Sequence, residues 1–297
     1  MKKGLIVYNG ALKTEKTLKL INELKSVSEE MNMDLTCVKN NEFIQKFDEN
    51  GNFIVSHNNM SLKEIDYAIF WDKDVFLAEN LENMGIRLFN RSEAIANCDN
   101  KALTFEKLKN QRIRMPKTIV SPFVFNNQGL SDEYIDSVIK YIGLPMIIKE
   151  CYGSFGMQVY MASSRDEMNN IISDMDNRPF IFQEYIENSR GRDVRVVIVG
   201  DEIVGAMLRK NPDDFRANIT IGGSGTFYEL TDEQKSLALK AHRALGLDFS
   251  GIDLLFGDDG KPILCEVNSN LNFLSFEKVS GISVAKKILS YINSSLE

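Results

Sequence analysis

Along the first hundred residues short apolar runs alternate with amphipathic stretches, the pattern of an open α/β unit. Residues 5–8 read as a first strand, and 14–30 as a helix with Leu18, Ile21, Leu24 and Val27 on one stripe. Residues 34–38, 67–71 and 86–89 read as further strands, with a helix over 75–83. The turn after the first strand is Asn9-Gly10-Ala11, so the glycine fingerprint of a dinucleotide site is absent. This unit reads as scaffold and substrate wall.

The pattern changes near Asn97. Asp99 is placed to cap a helix over 100–110, and Pro116 ends that segment before an extended 117–121. A helix at 132–141, a strand at 146–150, a glycine-containing loop, a strand at 158–161, a helix at 165–175 and a strand at 180–185 complete an α+β unit sized for a mobile lid. Beyond Ile186 the strands lengthen: 193–199 and 202–209 form a hairpin across Gly200-Asp201. A helix at 231–245, strands at 251–256 and 263–268 around Asp258-Asp259-Gly260, and a closing helix at 283–292 follow. The expected division is three units, 1–96, 97–186 and 187–297.

The 297 residues carry 42 acidic and 35 basic side chains, a net charge of −7, and 43% are hydrophobic. That composition belongs to an ordinary globular protein. Its acidic balance argues against a nucleic-acid partner, and its short apolar runs predict neither an export signal nor a membrane span, hence a cytoplasmic protein. Cys37, Cys98, Cys151 and Cys265 form no CxxC pair and there are two histidines, which disfavours zinc and disulfide frameworks. His57 is read in a polar loop and His242 on a helix, both structural or solvated, and Cys151 as a packing residue. No general base is visible.

Candidate chemistry concentrates late in the chain. Glu266 and Asn268 are two apart on a strand and share a face, and Asp253 lies on the partner strand. Three hard oxygen donors on one patch suit Mg²⁺, and carboxylates set among Ile252, Leu254, Leu264 and Val267 are costly without a partner. Lys149 leaves an apolar strand just before Gly153-Ser154-Phe155-Gly156, where a cation and loop amides can hold phosphate oxygens. Lys101 is a second candidate cation. Gln183, Glu184, Tyr185 and Ile186 end a strand where main-chain groups can meet an adenine edge, although the same segment also reads as an ordinary strand end. Arg192, Arg195, Arg209, Arg216 and Asn218 gather cations and an amide in one region.

In order and spacing these stretches resemble the ATP-grasp superfamily, and within it the RimK-like carboxylate–amine ligases of the alpha-L-glutamate ligase type. The resemblance runs from about Asn97 to the C-terminus and rests on Asp99-Asn100-Lys101, residues 145–149, the 153–156 loop and residues 183–186. It continues through 191–195, 214–218, Gly222-Gly223, Gly251-Ile252-Asp253 and 266–270. It implies an ATP-grasp fold: an N-terminal open α/β domain, a small central lid and a C-terminal sheet-based domain. Lys101 and Lys149 would hold ATP phosphates, Gly153, Ser154, Phe155 and Gly156 would close over them, and Gln183 to Ile186 would meet the adenine. Asp193 would lie near the ribose, and Arg216 and Asn218 at the phosphate and acyl end. Asp253, Glu266 and Asn268 would bind two magnesium ions, with manganese as a substitute, and Arg209 would stabilise charge during transfer. Where the family often continues Glu-x-Asn with Ser-x-Pro-Gly, this chain reads Ser269-Asn270-Leu271-Asn272-Phe273, so substrate identity does not carry over.

The implied reaction is ATP-dependent amide or peptide bond formation through an acyl phosphate, attaching an amino acid such as glutamate to a peptide, protein or small-molecule carboxylate, in a possible homo-oligomer. A small-molecule kinase on the same site, or an inactive nucleotide-binding regulator, are the competing readings.

Overall fold

The computed structural model describes residues 2–12, 14–123, 129–154 and 156–297; Phe155 of the expected phosphate loop lies outside them. In chain order the elements begin β1 (Lys3–Tyr8), α1 (Glu15–Glu30), β2 (Asp34–Lys39), β3 (Phe43–Phe47), β4 (Phe53–His57) and β5 (Tyr67–Trp71). Then come α2 (Val75–Asn83), β6 (Arg87–Phe89), α3 (Ser92–Asp99), α4 (Lys101–Leu108), β7 (Thr118–Val120), α5 (Asp132–Ile142), β8 (Met146–Glu150) and β9 (Val159–Ala162). Next are α6 (Arg165–Asp174), β10 (Phe180–Glu184), β11 (Arg192–Val199), β12 (Glu202–Lys210), β13 (Ser224–Phe227) and α7 (Asp232–Ala244). The chain closes with β14 (Phe249–Phe256), β15 (Pro262–Asn268), α8 (Leu274–Ser280) and α9 (Val284–Leu296).

Three sheets of four or five strands, beside the two-stranded β3–β4 hairpin, organise the described residues. The first is parallel, in the order β2-β1-β5-β6. Leu5, Ile6 and Val7 are buried, as is all of β5, which is why these strands read as unbroken apolar runs. The second sheet, β7-β10-β8-β9, is antiparallel and backed by α5 and α6. The third, β13-β12-β11-β14-β15, is antiparallel, and Val194, Val196 and Ile198 of β11 turn one face of it to α7. On the opposite face Val197 and Val199 join a core shared with α1, α8 and α9, so the last helices return to the first unit.

The first and last units are bonded together at Asn90. Its buried amide donates to the carbonyls of Phe249 and Ser269, and its oxygen accepts from the backbone N–H groups of Asp248 and Phe249. Trp71 stacks on Phe249 with centroids 5.1 Å apart and meets Phe273 edge-on at 5.7 Å.

Several sequence expectations require correction. The helix expected to be capped by Asp99 is capped by Asn100, whose side chain accepts from the N–H groups of Ala102 and Leu103, while Asp99 ends α3. Leu18 is exposed, and the buried stripe of α1 is Leu20, Ile21, Leu24 and Val27. His57 is in no loop: it ends β4, with its ring edge-on to Phe43. The β3–β4 hairpin, β13 and α8 were not foreseen. The hairpin turn is held by Asp48, which accepts from the N–H groups of Asn50 and Asn52.

Candidate active site

A cavity of about 350 Å³ opens where the three sheets meet. Its floor is the third sheet, where register and side-chain alternation bring distant residues to one face. Arg209 of β12 lies opposite Asp193 of β11, Arg195 opposite Asp253 of β14, and Asp253 opposite Glu266 of β15. The pairing of β14 with β15 shifts between Asp253 and Leu254, a bulge at Cys265 that brings Cys265 and Glu266 to the cavity side by side.

These residues form a ladder of charge-assisted bonds. Arg195 donates from Nε to Asp253 Oδ1 at 2.7 Å and from Nη2 to Oδ2 at 2.6 Å. Arg209 donates in the same bidentate way to Asp193, both at 2.6 Å, and its Nη2 reaches Asp253 Oδ2 at 2.9 Å. Arg209, Asp193 and Asp253 are all buried. Burial works against the charge of Asp253, but the two guanidiniums outweigh it and hold the carboxyl below its ordinary range. Burial likewise opposes the Arg209 charge, and the two carboxylates overcome it. A carboxylate offers about four lone-pair positions, and Asp253 has three occupied, so one remains at Oδ1. Asn268 donates from Nδ2 towards the Gly251 carbonyl at 3.5 Å, which leaves its Oδ1 to the cavity.

The roof comes from the second sheet. On β8, Met146 and Ile148 enter the core beneath α5 and α6, so Ile147 and Lys149 face the cavity. Lys149 Nζ lies 3.8 Å from Cys265 Sγ, and burial pushes that thiol up to about 11. Lys101 opens α4, tied by its N–H to the Cys151 carbonyl at 3.0 Å. Gly153, Ser154 and Gly156 line the cavity, and Gly156 has φ +76°, a conformation that favours glycine.

Arg216 clasps the loop shut: it chelates Asp214 and donates from Nη1 to the Gly156 carbonyl at 2.6 Å. Asn218 stands over Gly156, where a Cβ would meet its Oδ1 at 2.9 Å. Gln183, Glu184, Tyr185 and Ile186 line the cavity, and the Gln183 amide donates to Thr118 Oγ1 across the second sheet at 3.1 Å.

The family profile described as RimK-like ATP-grasp domain matches residues 98–292, the span that builds this roof and floor. The chain belongs to the RimK-like ATP-grasp family. The human N-acetylaspartylglutamate synthase A is 36% identical over 227 residues, covering 76% of this chain and 57% of that protein. The chain thus spans little more than half the length of that relative. A probable alpha-L-glutamate ligase of Enterobacter sp. (strain 638) is 32% identical over 214 residues, 71% of this chain and 69% of its own length. Among solved structures, the D-alanine–D-alanine ligase from Bacillus anthracis in complex with ATP superimposes with a TM-score of 0.74 at 19% identity, over 100% of this chain and 97% of that one. That likeness shows the shared ATP-grasp fold.

The RimK-like segment does not include the third wall, which sequence reasoning left without named site residues. In the first sheet the chain runs from β1 outward to β2, then returns to β5 on the other side of β1, so the order reverses between β1 and β5. Ligands of open α/β sheets bind at the carboxyl ends of strands at such a point. Here Asn9 follows β1 and Asp72 follows β5, joined by Asn9 Nδ2 donating to Asp72 Oδ1 at 3.2 Å, and both line the cavity. Lys73 ion-pairs with Asp99 and donates to Ser154 Oγ at 3.0 Å, linking this wall to the glycine loop. Lys16 of α1 lines the same wall. The alternation of an open α/β unit was legible in the sequence pattern, but the strand order that marks this wall shows only in the fold.

Proposed function

We propose that this chain is an ATP-dependent carboxylate–amine ligase that forms an amide or peptide bond through an acyl phosphate. The observation that carries the reading is the convergence on one cavity of two kinds of group. Lys101 and Lys149 have no carboxylate partner among the described residues, and Glu266 and Asn268 offer oxygens to the cavity with no lysine or arginine paired to them among the described residues. An anionic polyphosphate with its divalent cation supplies what each set lacks.

In this reading Lys101 and Lys149 hold the ATP phosphates under the 153–156 loop, and the 183–186 segment meets the adenine. Glu266, Asn268 and the free position of Asp253 would hold magnesium, two ions with manganese able to substitute, which supplies charge neutralisation at the phosphates. The γ-phosphoryl group passes to a substrate carboxylate, giving an acyl phosphate and ADP. The amine of an amino acid such as glutamate then attacks the acyl carbon, and phosphate leaves. Arg209 stands fixed by two carboxylates, so its positive charge is already oriented when charge develops on the transferring group or the tetrahedral carbon. The clasps at Arg216 and Lys73 hold the glycine loop down, excluding the water that would hydrolyse an acyl phosphate. The relatives' names point to acidic acyl and glutamyl partners.

The test is MgATP turnover against a panel of amino acids and acidic peptides, with hydroxylamine as surrogate amine and products identified by mass. ADP together with a hydroxamate or an amide is the expected result. ADP with a stable phosphorylated product and no hydroxamate, or no turnover across the panel, overturns the ligase reading.

A further inference from the structure

Three lysines line the cavity without a carboxylate partner among the described residues. Lys101 and Lys149 belong to the central unit beside the glycine loop, where the nucleotide phosphates account for them. Lys16 belongs to the N-terminal unit, and nothing in the nucleotide reading uses it. It stands one turn before Leu20 on the stripe that continues through Leu24 and Val27, so the face of α1 that buries apolar side chains in the core ends in a cation at the cavity.

The surroundings of Lys16 make that charge unfavourable when the cavity holds no anion. Burial, and after it the positive charges of Arg195 and Arg209, push its ammonium below the ordinary lysine range. Each arginine is matched by an aspartate, Arg195 by Asp253 and Arg209 by Asp193, whereas Lys16 has no ion-pair partner among the described residues. An exposed surface lysine would need no explanation. A half-buried one set against two guanidiniums is a site for a ligand anion.

We propose that Lys16, with Arg195 behind it, binds a second, non-reacting carboxylate of the acid that the enzyme activates. The substrate would then be a di- or polycarboxylic acid or a peptide with an acidic side chain. This inference rests on the ligase reading for the acid's place in the cavity. The acid is preferred to the amine as the bearer of this carboxylate because Arg209 and Asp253, beside Arg195, mark the end where the acid must meet the phosphoryl group. Both places line the same cavity.

The test measures binding as well as turnover. Calorimetric titration in the presence of MgADP would compare N-acetyl-L-glutamate with N-acetyl-L-glutamine and N-acetyl-L-aspartate with N-acetyl-L-asparagine, pairs that differ by one carboxylate. The wild-type chain should prefer a dicarboxylate, and Lys16→Met should weaken its binding by about tenfold or more, the worth of one charge-assisted contact. Binding of the monoamide and of MgADP should move little, and Lys16→Arg should keep most of the preference. The inference is overturned if neither dicarboxylate binds, if the preference survives in Lys16→Met, or if that variant loses MgADP as well. Lys16-dependent binding without ADP formation in the turnover assay would instead uphold this subsite and remove the ligase reading.

Discussion

Replacing Arg209 by Met tests the ladder at its most buried member. Arg209 makes all the hydrogen bonds found to the Asp193 carboxylate and one of the three to Asp253. In the variant Asp253 keeps its bidentate partner Arg195, whereas Asp193 is left buried and unpaired. An uncompensated buried charge costs about 3–5 kcal/mol, and that is the expected loss of stability at neutral pH. Adding Asp193→Asn removes the stranded charge, so the double variant should recover at least about half of that loss. Urea unfolding can be followed by the fluorescence of Trp71, the single tryptophan, which is stacked on Phe249 at the start of β14.

Acidification provides a second arm of the same test. Burial raises the Asp193 carboxyl even with its partner present. Without Arg209 the folded form binds the proton more tightly still. A carboxyl whose folded pKa exceeds its unfolded value destabilises once pH rises above the unfolded value, and the penalty is relieved by protonation as pH falls. The deficit of Arg209→Met relative to the parent should therefore be larger at about pH 8 than at about pH 5. A deficit below about 1 kcal/mol, or double-variant energies that simply add, would show that the ladder is not the coupled unit its distances imply.

Two further outcomes follow from other groups. Glu266→Gln should leave the circular dichroism spectrum and unfolding midpoint near the parent's, since its carboxylate has no hydrogen bond or ion pair among the described residues, while kcat with MgATP falls by about a hundredfold or more; parental turnover would remove Glu266 from the site. His242 is buried against Ser250 Oγ at 2.8 Å, and burial lowers it from 6.5 to about 4. Because the folded form resists protonation, stability is full above the unfolded pKa and falls as pH drops from 6.5 towards 4, by up to about 3 kcal/mol. His242→Gln should flatten that part of the stability–pH curve, and an unchanged curve would assign the acid sensitivity elsewhere.

Local pattern made much of the third sheet legible. Alternation gave the strands, the Asp258-Asp259-Gly260 turn brought β14 beside β15, and the polar residues among apolar neighbours marked the cavity face. Side-chain pairing across long separations was not legible. Asp253 meets Arg195, 58 residues away, only because β11 and β14 adopt one particular register, and a shift of one residue would send the arginine to the other face. Arg216, expected at the phosphate and acyl end, lines the cavity and also bonds to Asp214 and the Gly156 carbonyl, contacts that depend on segments some sixty residues apart coming together. Residues 40–57 offered only a weak alternating signal, so the β3–β4 hairpin was missed. Lys73 and Lys16 were missed because a lysine on a helix or loop looks solvated until the wall opposite it is known.

One strand shows why the N-terminal unit is part of the site as well as a neighbour of it. On β11 the residues Asp193, Arg195, Val197 and Val199 share a face, charged at one end and apolar at the other. The apolar half is covered by the core that α1 contributes to, and the charged half begins where that cover stops. The stripe of α1 makes the same change at the same place, from Leu20 in the core to Lys16 in the cavity. Docking and ligand binding therefore use one continuous pair of surfaces, and the boundary between them is set by where each pattern turns from apolar to charged. Displacing α1 from the core it shares with α9 would carry Lys16 away from the cavity. Burial of Leu20, Ile21 and Leu24 in that core, a hydrophobic term that needs no ligand, thus fixes Lys16 at the cavity before any substrate arrives.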